Sequence, residues 1–279
     1  GAVLVGRGRG RIGHPAGCLG RAMRASLHGF LSAFTLASRI PAPLRSEPDY
    51  SALGFWMPVV GLCAAAVACA GAWLGSLAFG PGPLAALASI VAQYLAFNLF
   101  HLDGLLDTAD AAGVNGDAER RRTVLKDPRV GSFALFAGFA ALAARLGAVT
   151  ALAERGGPVF WGALCLAPVA GRFGSMLVTA FCEPYPGGGL AAMIGRPSPV
   201  SSTVGYVVAA APAALLFGAA YGPIGAAAAM LAGGLAAVAT AAFVGYWYGK
   251  RLDGYSGDAL GAAVELGELA VLLLAVAVA

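Results

Sequence analysis

The sequence predicts an all-α fold: a polytopic membrane helix bundle of about seven transmembrane helices, preceded by an N-terminal interfacial helix. Three observations carry this. Hydrophobic residues make up 59% of the 279 positions and charged residues only 11%, where a soluble domain holds about 45–50% and about 25%. The apolar residues are gathered into runs long enough to cross a hydrocarbon layer roughly 30 Å thick. Short Gly- and Pro-bearing turns separate several of the runs, and such residues end helices.

Residues 1–25 form an N-terminal tail. Its first twenty positions are rich in Gly and Arg and lack periodicity, which predicts disorder. Residues 26–279 form one membrane-embedded catalytic domain. Its opening segment, 26–40, places Leu27, Phe30, Leu31, Phe34 and Ile40 on one side of a helix. That segment is too short and too polar to span, so it lies in the membrane interface or packs on the bundle. Pro41 and Pro43 end it. The spans follow at 55–79, 83–106, 132–153, 159–181, 200–221, 224–247 and 260–279. Ala and Gly abound within them, which allows close helix–helix contact and is compatible with a homo-oligomer. None of the five cysteines forms a Cys-x-x-Cys pair, so neither a disulfide framework nor a zinc site is indicated.

The net charge of +4 matters less than its placement, and it indicates no nucleic-acid partner. With seven spans, Arg39, Arg45, Arg120, Arg121, Arg122, Lys126, Arg129, Arg196, Lys250 and Arg251 fall on one side; of the loop cations only Arg155 falls on the other. The positive-inside rule makes the crowded side cytoplasmic. Most acids gather on the same side, so the chemistry is expected to face the cytoplasm from the cytoplasmic (inner) membrane.

The chemistry is written in the stretch His101-Leu-Asp-Gly-Leu-Leu-Asp-Thr-Ala-Asp110. At about 100° per residue, Asp103, Asp107 and Asp110 share one helix face where the second span leaves the bilayer. Like charges at that spacing repel. A carboxylate at the bilayer centre costs about 2.5–3.5 kcal/mol. A divalent cation is the natural counter-charge. Around the triplet stand Lys126-Asp127-Pro-Arg129 before the third span, Arg172 in the fourth, and Asp258 with Glu265 in the last. His101 reads equally as a helix-end residue or a ligand, and Glu268 as a ligand or a buried pairing partner. Mg²⁺ is usually held by one or two carboxylates plus substrate phosphates, while Arg and Lys neutralise outer phosphate oxygens. The set suits phosphoryl transfer to an alcohol. There is no Gly-x4-Gly-Lys-Ser/Thr phosphate loop. A cation-coupled transporter is the rival of another class. Transporters more often carry acids near the midplane and show repeated halves; here the acids cluster at one face and no repeat is visible.

These residues resemble the cobalamin synthase family, the adenosylcobinamide-GDP ribazoletransferases. The likeness runs over about 31–274 in six ordered blocks: Phe34 to Pro43, Gly54 to Gly61, His101 to Asp110, Lys126 to Phe133, Leu166 to Arg172, and Gly254 through Asp258 to Glu265. The sequence departs from the family pattern at Ala111 and at Asp253, where the family usually has Gly; that sets Asp253 aside as a ligand. A CDP-alcohol phosphotransferase also carries Asp-Gly on a membrane helix. Its pattern needs Ala-Arg three and four residues after that glycine, where this chain has Asp107-Thr108.

The resemblance implies transfer of the adenosylcobinamide-phosphate group from adenosylcobinamide-GDP to α-ribazole or its 5′-phosphate, with Mg²⁺ as cofactor. GMP is released, and adenosylcobalamin or its 5′-phosphate forms. The expected roles are Asp103, Asp107 and Asp110 for metal. Asp258 or Glu265 completes the shell or acts as base. Lys126, Arg129, Arg172 and His101 serve substrate binding, and Asp127 is either a further ligand or the orienting partner of Arg129.

Overall fold

The computed structural model describes residues 15–278, with side chains from Met23 onward. The first fourteen residues of the expected tail lie outside the described residues. Helix α1 (Pro15–Ala37) already covers the rest of that tail. The remaining helices are α2 (Leu53–Phe79), α3 (Pro83–Gln93), α4 (Leu99–Gly113), α5 (Ala118–Leu125), α6 (Ser132–Arg155), α7 (Gly157–Phe181), α8 (Leu190–Ile194), α9 (Pro199–Leu252) and α10 (Gly257–Val278). The described residues contain no strands, only one isolated bridge between Pro184 and Tyr255.

Six helical stretches are long and apolar enough to cross a membrane, which makes this a multi-pass membrane protein. One of them, α9, runs for 54 residues and breaks at Gly222 (φ 74°, ψ −174°). That left-handed φ suits glycine, and Pro223 follows it. The two arms, 199–221 and 223–252, fold back on each other: the Tyr206 hydroxyl donates to the Met230 carbonyl at 2.6 Å. A straight helix would hold those residues about 36 Å apart. The hairpin supplies two crossings, so the seven expected from the sequence are present.

The second crossing is not a plain helix. Between α3 and α4, Tyr94–Asn98 form a π-helical turn, so the stretch Pro83–Gly113 is one continuous rod carrying one widened turn. Helix α7 is the hub: 83% of its most apolar stretch is buried, against 28% for α6. Phe30 of α1 meets Trp56 edge-on at 5.6 Å, and Phe34 meets Phe97 at 5.7 Å. Met23 and Leu27 stay exposed. The interfacial helix therefore packs its second half on the bundle.

Helices α4 and α10 make the contact that builds the site. A Cβ on Gly104 would stand 2.8 Å from the Asp258 carbonyl and 2.9 Å from its Cα; one on Gly261 would stand 3.0 Å from the His101 carbonyl. Two backbones can approach this closely only where both lack side chains. The glycine of the Asp-Gly pair is thus a packing requirement.

Candidate active site

The approach of α4 to α10 sets Asp103 and Asp107, one turn apart on α4, against the first turn of α10 with Asp258. The three carboxylates lie within electrostatic range of one another. Among the described residues, none of the three forms an ion pair. Ser256 donates to Oδ2 of Asp258 at 2.9 Å and fixes its orientation. Tyr248 of α9 braces the same corner, its hydroxyl 2.7 Å from the Thr108 hydroxyl.

A cavity of about 310 Å³ opens beside this rim. Asp103 and Asp107 line one wall, and Lys126, Asp127 and Arg129 of the α5–α6 loop line the other. Lys126 is exposed and makes no ion pair among the described residues. Arg129 is 86% exposed and grips Asp127 bidentately, Nε to Oδ1 at 2.9 Å and Nη2 to Oδ2 at 2.6 Å. Those hydrogen bonds hold the Asp127 carboxyl down at about 2. Both oxygens of Asp127 are thus engaged by Arg129. A smaller crevice, also lined by Lys126, reaches Asp258, Tyr185 and Arg122.

Four residues expected at the site stand elsewhere or are already engaged. Asp110 accepts the Gly131 amide at 2.6 Å and the Ala134 amide at 2.8 Å. It satisfies orphan donors at the start of α6, so both of its oxygens are already in use. Glu265 and Arg172 lie deeper, at 2% and 0% exposure. Burial keeps Arg172 from the rim cavity, and Glu265 sits about 10 Å along the axis from Asp258. His101 is within electrostatic range of Arg145, Arg172 and Glu268, and its Nδ1 is buried without a partner. It faces the deeper layer.

That deeper layer is a buried network. Glu268 accepts from Arg145 (2.7 Å), Arg172 (2.9 Å), Gln93 (2.7 Å) and Asn98 (3.1 Å). Glu265 accepts from Asn98 (2.9 Å), Arg145 (3.1 Å) and the Tyr94 hydroxyl (2.5 Å). Two acids meet two arginines, so the layer is neutral. Glu268 is a pairing partner, the other reading of it in the sequence. Arg145 was missed in the sequence, although a lone arginine in an apolar span signals a hidden partner. Tyr248, Ser256 and Asn98 were missed as well; nothing local in the sequence marks them.

The polybasic run divides its work. Arg121 reaches the carbonyls of Ala111 (2.5 Å) and Ala112 (3.3 Å) at the end of α4. Arg122 pairs with Asp253 at 3.0 Å. Asp253 sits at φ 53°, a left-handed conformation that glycine adopts freely, which accounts for the usual residue there.

Whether these residues fit a metal turns on the donor set. Among the described residues, no three His, Cys, Asp or Glu side chains stand already gathered as a metal-binding group. The rim offers hard oxygen ligands from two helices, with no cation paired to them. Mg²⁺ keeps several waters and takes one or two carboxylates plus substrate phosphates. An open rim of this kind fits that ion better than a closed protein cage would.

The chain matches the family model described as cobalamin-5-phosphate synthase over residues 29–276. Among its relatives, an adenosylcobinamide-GDP ribazoletransferase of Halorubrum lacusprofundi is 38% identical over 263 residues, covering 90% of this chain and 95% of that protein. Proteins of the same name from Novosphingobium aromaticivorans and Chlorobium phaeovibrioides are 35% and 30% identical, covering 88% and 89% of this chain and 95% and 97% of their own. No solved structure matches. The matched span takes in α4, the α5–α6 loop and the start of α10, and the relatives align along nearly their whole length: the chain belongs to the cobalamin-5-phosphate synthase family.

Proposed function

We propose that this chain transfers the adenosylcobinamide-phosphate group of adenosylcobinamide-GDP to a hydroxyl of α-ribazole or its 5′-phosphate, releasing GMP. The observation that carries the reading is the uncompensated pair Asp103 and Asp107 facing a cavity whose other wall carries Lys126 and the Arg129–Asp127 pair, with Asp258 in the adjoining crevice. A pyrophosphate substrate brings negative charge, which such a rim accepts only with a divalent cation between. Asp103 and Asp107 hold Mg²⁺, with Asp258 completing the set or taking the proton of the attacking hydroxyl. Bound there, the ion neutralises charge developing on the phosphoryl oxygens.

The chain's own residues do the rest. Lys126 and Arg129 bind the pyrophosphate, and Asp127 keeps the Arg129 fork aimed. Ser256 fixes the carboxylate of Asp258. The P–O bond to the GMP side breaks as the bond from the ribazole oxygen to the cobinamide-side phosphorus forms. In-line positioning and charge neutralisation supply most of the catalysis in such transfers. The cationic loops at this end of the bundle support a cytoplasm-facing site in the inner membrane.

The test is GMP release by the purified chain from adenosylcobinamide-GDP and α-ribazole, with and without chelator. The reading expects release that needs Mg²⁺ and falls at least about 10²-fold in Asp103→Asn. Unchanged transfer in that variant, or cation uptake into vesicles without any transfer, would overturn it.

A further inference from the structure

The buried layer touches neither the rim cavity nor solvent, yet it joins the two helices that carry the rim. Asn98 is where they meet. It is fully buried, at the end of the π-helical turn and five residues before Asp103. Its amide nitrogen donates to Glu265 at 2.9 Å and to Glu268 at 3.1 Å. Its oxygen accepts from Arg172 at 3.1 Å and from Gln93 at 3.4 Å. Both donor hydrogens and both lone pairs are therefore engaged. The two glutamates sit on α10, seven and ten residues after Asp258.

The widened turn makes this possible. On an ideal α-helix, Gln93 and Asn98 would point about 140° apart; the wider i→i+5 turn brings residues five apart closer to one face. The Leu99 amide bonds the Tyr94 carbonyl in that pattern, and the Ala96 carbonyl is taken by the Arg39 amide at 2.8 Å. In a bilayer no hydrophobic force drives helices together, so packing and polar contacts decide their registry.

We propose that Asn98, with Tyr94, is a positioning element: it locks the registry of α4 against α10 and so sets the spacing of Asp103 and Asp107 from Asp258. This rests on the proposed function, because it takes that rim as the place where the transfer occurs. Asn98 touches no substrate. It acts through the glutamates of α10.

The test uses Asn98→Leu, which keeps side-chain size, and Tyr94→Phe, which removes one hydroxyl and keeps the fold. Each is assayed for transfer and for the Mg²⁺ concentration giving half-maximal rate. Spin labels at Phe100 and Leu273, both exposed, report the α4–α10 distance in a background without other cysteines. The lock predicts a kcat loss of about 10²-fold in Asn98→Leu and a smaller loss in Tyr94→Phe. KM for the nucleotide-activated donor stays within about threefold, the Mg²⁺ requirement rises, and the interspin distance shifts or broadens. If Asp103→Asn is inactive while both variants keep wild-type kcat, Mg²⁺ requirement and distance, the lock is refuted and the proposed function stands. Lower melting temperature alone, with those three unchanged, also refutes it. If Asp103→Asn keeps its activity, the reading of the rim itself has failed.

Discussion

Two acid-bearing layers lie one above the other along α10. At the rim, Asp258 faces Asp103 and Asp107 of α4 with no ion pair among the described residues. Two to three turns deeper, Glu265 and Glu268 accept seven hydrogen bonds between them. A fully paired buried charge holds a fold in place, and breaking one half of it costs about 3–5 kcal/mol. An unpaired set of like charges does the opposite, weakening the fold unless something else is bound. The same residue chemistry is therefore paired in one layer and left without an ion pair, among the described residues, in the other.

The largest expected effect breaks the deeper layer. Glu268→Gln leaves Arg145 and Arg172 short of a counter-charge at 2% and 0% exposure. It should lower stability by about 3–5 kcal/mol, read as a fall in melting temperature in detergent or liposomes. An unchanged melting temperature would remove the distinction between the layers. Asp110→Ala gives a smaller effect and sharpens the comparison, because Asp110 lies on the rim face yet is satisfied. Losing the two amide contacts at the start of α6 should cost about 1 kcal/mol. The Mg²⁺ requirement should not move; a raised requirement without loss of stability would return Asp110 to the metal set.

Much of this was legible in the sequence. Hydropathy placed the crossings, because membrane length is read without knowing what packs on what. The Gly222-Pro223 break was legible for the same reason that any glycine–proline turn is. That Asp103, Asp107 and Asp258 gather at one end of the bundle was legible from residue type and spacing, the last span included. What stayed hidden depends on distant parts of the chain meeting. Asp110 shares the helical face of Asp107, and only the return of Gly131 reveals it as a cap. Glu265 shares the face of Asp258, and depth alone separates ligand from buried partner; Arg145, on another helix, decides the matter. A single π-helical turn leaves no periodic trace over five residues.

The central claim is that the rim is built for ligands at the expense of the fold. Transfer rate and melting temperature of Asp107→Asn, measured on one preparation without added ligand for the melt, test it most directly. The account predicts a rate at least about 10²-fold lower and a melting temperature equal to or above wild type, since a repelling charge is gone. A rate near wild type, or a melting temperature that collapses with it, would contradict the account.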